Sequence, residues 1–180
     1  MLQITIPAIE KYDSVHNLFY TSKEYHLSLE HSLVSISKWE SKWNKAFLGK
    51  DAKTHEESID YIRCMTLTQN VDPEAYTGIT SKIFKEISDY IDAPMTATKI
   101  TSNRQGAPRR ETYTSEVLYY LMISYGIPFE CQKWHLNRLI TLIKVCEVKN
   151  SPKKKMSKAD IMSQNRELNA ARRAAMNTKG

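Results

Sequence analysis

The sequence predicts a mainly α protein of the α+β type. It reads as a helical bundle centred on an αα-hairpin, with a small N-terminal antiparallel β element and a basic C-terminal helical tail. Three observations carry this reading. Apolar residues recur at helical spacing in several stretches between residues 32 and 148, most clearly from Trp134 to Val148. The first thirty residues alternate with period two instead. Positive charge is gathered at one end: residues 149–180 carry nine Lys/Arg and two acids, or +7, in a chain of net charge +6, so residues 1–148 sum to −1. The expected division is a body over 1–150 and an extension over 151–180.

The totals narrow the function classes. A length of 180 residues suits one domain with a tail, and 41% hydrophobic residues suffice for a core. No apolar run is long enough to span a bilayer, and the first residues do not read as a secretory leader. Cys64, Cys131 and Cys146 stand at unrelated spacings and suggest no disulfide framework.

Taken in order, Leu2, Ile4 and Ile6 alternate with polar residues until Pro7, which predicts a short half-buried strand. Residues 17–29 hold two β-rich pieces around Thr21-Ser22-Lys23-Glu24, expected to form a small sheet or hairpin. From Ser32 the period changes. Ile36, Trp39, Trp43 and Phe47 share one helical stripe, readable as core or as a docking groove for a partner helix. Thr54-His55-Glu56-Glu57 is a capping box that starts a helix over about 55–66. After the Asp72-Pro73 turn, Ile79, Ile83, Ile87 and Ile91 predict a helix over about 80–91. Residues 93–113 lack a period, and Arg104, Arg109 and Arg110 are expected on a solvated loop or against an acidic surface.

Val117 to Tyr125 is almost entirely apolar and predicts a buried core helix, ended by Gly126 and Pro128. Leu136, Leu139, Ile140, Ile143 and Cys146 then line one side of a second helix over about 134–148. A link of about four residues makes the two an antiparallel pin at the centre of the core. Beyond Pro152, Ser157-Lys158-Ala159-Asp160 and an Ala-rich run predict a weakly held helix over about 158–176.

Chemistry-bearing patterns are few. Cys131 and His135 stand at i and i+4, but no further ligands lie nearby in sequence. Glu56 and Glu57 belong to a helix start, where acids offset the helix dipole. There is no phosphate-binding glycine loop or hydrolase motif, and neither a cofactor nor a metal is expected. Lys153, Lys154, Lys155, Arg172 and Arg173 read first as a solvated cationic tail, and otherwise as a contact for an acidic protein surface or, through this tail alone, for nucleic acid phosphates. No aromatic residue follows Trp134, so the tail lacks a base-stacking platform.

Several stretches resemble a group of small proteins from tailed bacteriophages. They are Ile127 to Cys146, Lys154 to Lys158, Asn165 to Arg173, and the Thr178-Lys179-Gly180 end. Leu29 to Leu33, Ser37 to Glu40, and Pro94 to Thr98 fit the same group, so the likeness covers most of the chain. The group is associated with tail morphogenesis, most specifically with tail assembly chaperones. The resemblance implies a helical, non-enzymatic protein that coats the tape measure protein until tail tube subunits polymerise around it. It implies action in the host cytoplasm, without a membrane, and allows self-association. Trp39, Trp43, Phe47 and the tail cations are then the expected contacts. The alternatives are a structural protein of the virion tail or neck, and a DNA-binding accessory protein.

Overall fold

In a computed structural model that describes residues 1–99, 112–150 and 158–176, helices begin where side-chain caps are available. Helix α1 (Leu33–Trp43) starts at Ser32, which exchanges capping hydrogen bonds with Ser35. Helix α2 (His55–Met65) starts at the anticipated Thr54–Glu57 box: the Glu57 amide donates to Thr54 Oγ1, and the Thr54 amide donates to Glu57 Oε2. Helix α3 (Ser81–Asp92) is capped by Thr80 and α4 (Ser115–Ser124) by Thr114. Helices α5 (Leu136–Asn150) and α6 (Lys158–Met176) follow. Two 3-10 helices, Pro73–Gly78 and Phe129–Lys133, fill the connections before α3 and α5.

Strands β1 (Leu2–Ile6), β2 (Glu10–Asp13), β3 (Leu18–Thr21) and β4 (Tyr25–Leu29) form two antiparallel ladders, β1 with β4 and β2 with β3. This corrects the expected pairing of the two pieces within 17–29, which pair outward to earlier strands instead. Leu2 faces Leu29, Ile6 faces Tyr25 and Glu10 faces Thr21, so both ladders keep one register. They are the inner and outer halves of one long ribbon, interrupted where Pro7 has no amide to donate. The Ser22 amide donates to the Ile9 carbonyl at 2.8 Å and continues the register across the gap.

The inner half supplies Ile4, Ile6, Leu27 and Leu29 to the core. Residues 65–67 extend its β4 edge, with Glu30 N–H donating to the Met65 carbonyl and Leu67 N–H to the Ser28 carbonyl. Gly78 admits β1 closely: a Cβ there would stand 2.8 Å from Ile6 Cγ2.

The core is organised around α1, which packs on α2, on α4 and on the 3-10 helix before α5. Leu33, Ile36 and Trp39 are its buried face. The link between α4 and α5 is longer than the expected four residues: 125–135, including Phe129–Lys133, separate the two helices. Leu136, Leu139 and Ile143 of α5 are buried as their spacing predicts. Gly126 ends α4 at φ +63°, as expected. Helix α4 itself is not buried all round: Leu118 and Met122 face inward while Tyr120 and Ile123 are exposed.

The chain divides into two compact units, Met1–Glu147 and Val148–Gly180. The second contains α6, whose described side chains are exposed throughout.

Candidate partner-binding surfaces

The tryptophan stripe is closed rather than open. Trp39 is 1% exposed, and its indole N–H donates to the Glu57 carbonyl at 2.8 Å. Half-buried Trp43 donates to Asp60 Oδ2 at 2.9 Å. Phe47 lies outside α1, because Asn44 takes a left-handed conformation and ends the helix. The chain then folds back, placing the Phe47 ring 4.0 Å from the Tyr61 ring and 5.2 Å from the Trp39 ring. Lys53 crosses the outside with its ammonium 4.2 Å from the Phe47 centroid, and burial holds its pKa below the usual lysine range. Trp39 and Phe47 are therefore core residues, and an open groove built on them is corrected.

Buried carboxylates under this cluster are all engaged. Glu40 accepts the Phe47 amide on Oε1 and the Ser115 amide on Oε2, both at 2.7 Å, tying α1 to the first turn of α4. Glu57 meets Lys45 at 2.5 Å, and that contact with the Thr54 amide holds its pKa below the ordinary carboxylate value. Asp60 meets Lys42 at 2.5 Å; its burial opposes the shift, but Lys42 and Trp43 bring its pKa down on balance.

Two histidines form the second buried polar group, with ring centroids 5.1 Å apart. His135 Nε2 lies 3.0 Å from the Tyr90 carbonyl, which accepts only, so Nε2 carries the proton. Its Nδ1 then accepts the Asn137 amide at 3.3 Å, capping α5. His31 Nδ1 shares a hydrogen bond with the Tyr61 hydroxyl at 2.5 Å. Burial and the neighbouring His135 push the His31 pKa down to about 3, and burial lowers that of His135. Both rings are thus neutral and structural. Cys131 sits in the 3-10 helix and His135 precedes α5, so their i, i+4 spacing is not that of one α-helix face. Among the described residues no group of three or more His, Cys, Asp or Glu is placed to hold a metal ion.

The surface shows where apolar area remains. The outer ribbon ends in a turn: Asp13 Oδ1 accepts the Val15 and His16 amides, and Asn17 takes φ 55°. Around it, Tyr12 is 51%, Val15 85%, Leu18 64% and Phe19 71% exposed. Tyr12 and Phe19 pair across the strands with centroids 5.0 Å apart. The other face, which Leu18 shares, is anchored: Lys11 Nζ meets Glu74 at 2.9 Å and Thr77 at 2.7 Å, and the Tyr20 hydroxyl donates to Glu74 at 2.7 Å. An apolar tip is therefore held out from the body on a braced ribbon. A second apolar patch, Tyr120 and Ile123, lies on α4.

A cleft of about 70 Å³ between α4 and α5 is lined by Leu118, Leu121, Tyr125, Ile140 and Ile143. Ligand pockets are usually ~300 Å³ or larger. A shallower groove of about 470 Å³ between α2 and the first 3-10 helix has mixed charge, with Lys42 committed to Asp60 and Arg63 stacked on Tyr76.

Of the expected contact residues, Arg172 and Arg173 are exposed on α6. Arg104, Arg109, Arg110, Lys153, Lys154 and Lys155 lie outside the described residues. The ribbon tip was missed by sequence reasoning. Its signal was Leu18-Phe19-Tyr20, three large apolar residues in a row on a strand, which puts at least one on each face. No protein-family model, curated protein or solved structure matches the chain.

Proposed function

We propose that this protein is a non-enzymatic tail morphogenesis factor of a tailed bacteriophage, acting as a tail assembly chaperone for the tape measure protein in the host cytoplasm. The observation that carries the reading is the braced apolar tip formed by Tyr12, Val15, Leu18 and Phe19. Contiguous apolar patches on a protein surface often mark interaction sites. A chaperone of a long helical client needs apolar contacts that release when tail tube subunits arrive. A small tip suits this better than a deep pocket, because it buries little area on each contact. The resemblance of Ile127 to Cys146 and of the stretches around it to small tailed-phage proteins names the client. The buried carboxylates and histidines support a non-catalytic reading, since their polar atoms are committed to holding α1 to α4, α2 to the segment after α1, and the start of α5 to α3. Among the described residues no helix is long and apolar enough to cross a membrane.

Co-expression with the tape measure protein of the same phage tests the reading. The expected result is a soluble complex with the unaltered chain, and an insoluble client with Leu18→Ser/Phe19→Ser. Purified particles should lack the chain by mass spectrometry. Many copies per particle would instead establish a structural component of the virion tail or neck. Retention of DNA in ~0.2 M salt would favour a DNA-binding accessory protein, since nonspecific phosphate contacts weaken steeply there.

A further inference from the structure

The geometry points to α6 as a self-pairing segment: two copies of this chain join through a short parallel coiled coil of Lys158–Met176. The inference is independent of the chaperone reading, since it concerns a different part of the molecule. Helix α6 is 19 residues long, and its described side chains are exposed throughout. Isolated helices of this length are marginal in water and gain most of their stability from packing.

Ile161, Leu168 and Ala175 recur every seven residues, with Gln164 and Ala171 between them at the intermediate seam positions. That is the a/d spacing of a coiled-coil seam. Ile161 is 44% and Leu168 49% exposed, so the seam is uncovered. Glu167 and Arg172 flank it on opposite sides. They occupy a g position and the e position of the next heptad, five residues on.

These two charges have no complement on their own helix. The positions three and four away from Glu167 are Ser163, Gln164, Ala170 and Ala171; those around Arg172 are Leu168, Asn169, Ala175 and Met176. Among the described residues neither takes part in an ion pair. In a parallel pair, Glu167 of one copy faces Arg172 of the other, twice by symmetry. An antiparallel pair would set like charges together. Of the other cations on the helix, Arg166 and Arg173 fall on its back, away from the seam, and Lys158 flanks the seam only at the first turn. The seam is self-complementary, so a second copy is its occupant. At fewer than three heptads the pairing is weak and concentration dependent.

Sedimentation equilibrium of the full chain tests this. The mass is expected to rise from 20.8 kDa towards twice that value as concentration approaches about 0.2 mM. Glu167→Arg and Arg172→Glu are each expected to weaken association about tenfold, the double exchange to restore it, and Leu168→Glu to abolish it. A single-chain mass throughout would overturn the inference. So would a dimer indifferent to the single exchanges, which would place the contact elsewhere, or a larger assembly formed only when nucleic acid is added.

Discussion

The two halves of the β ribbon share one register and end in opposite surroundings. In the inner half, Ile4, Ile6, Leu27 and Leu29 are all buried under the helices. In the outer half, every residue of β3 is exposed, although Leu18-Phe19-Tyr20 is at least as apolar. Pairing chemistry is alike, so what differs is the layer beneath. The inner ladder lies in the core that α1 organises, while the outer one meets the 3-10 helix Pro73–Gly78 through Lys11, Tyr20 and Glu74. Apolar strand residues thus stabilise the fold on one side of Pro7 and remain available to a partner on the other.

The largest break in this contrast is expected from the inner half. Leu29 is 0% exposed, and Leu29→Ala should cost ~2–5 kcal/mol in urea denaturation, the range for a buried leucine. Acid comes next, because β4 leads directly into the buried His31. The folded chain keeps His31 neutral down to about pH 3, while the unfolded chain takes up a proton near its ordinary value of 6.5. The contribution of this histidine to stability is therefore full above pH 6.5 and is lost as pH drops towards 3. The slope is up to ~1.4 kcal/mol per pH unit for each histidine so held, and His135 adds in the same direction. Denaturation midpoints at pH 7 and pH 5 measure it, and His31→Gln should flatten the dependence. A smaller, local effect is expected at the brace. Glu74→Ala should speed amide exchange in β2 and β3 several-fold while leaving β1 and β4 protected, because only the outer half leans on Glu74. The smallest change in stability belongs to the tip: Phe19→Ser should stay within ~0.5 kcal/mol by urea denaturation. Unequal responses in this order sharpen the division; a Phe19→Ser cost approaching that of Leu29→Ala would erase it.

Where order is local, residues spoke for it. The Thr54–Glu57 box, the isoleucine repeat of α3 and the buried seam of α5 could all be read within one or two turns of chain. Strand pairing was less legible, since β1 meets β4 across the whole outer half. Helix α4 misled because a helix apolar on all sides has no phase to show which side faces out, so Tyr120 and Ile123 read as core. Phe47 continued the spacing of Trp39 and Trp43 only on paper, for Asn44 ends the helix before it. Glu40 gave no sign of its role. An acid between two tryptophans reads as solvated, and its two amide donors become visible only once the chain has folded back on itself.

That carboxylate also bears on the order of folding. The Ser115 amide at the head of α4 finds its acceptor 75 residues upstream. Closing so wide a loop is slow compared with winding a single helix. The opening turn of α4 should therefore lock late in refolding, after α1 exists to receive it, and a chain released from synthesis before residue 115 would leave that carboxylate waiting.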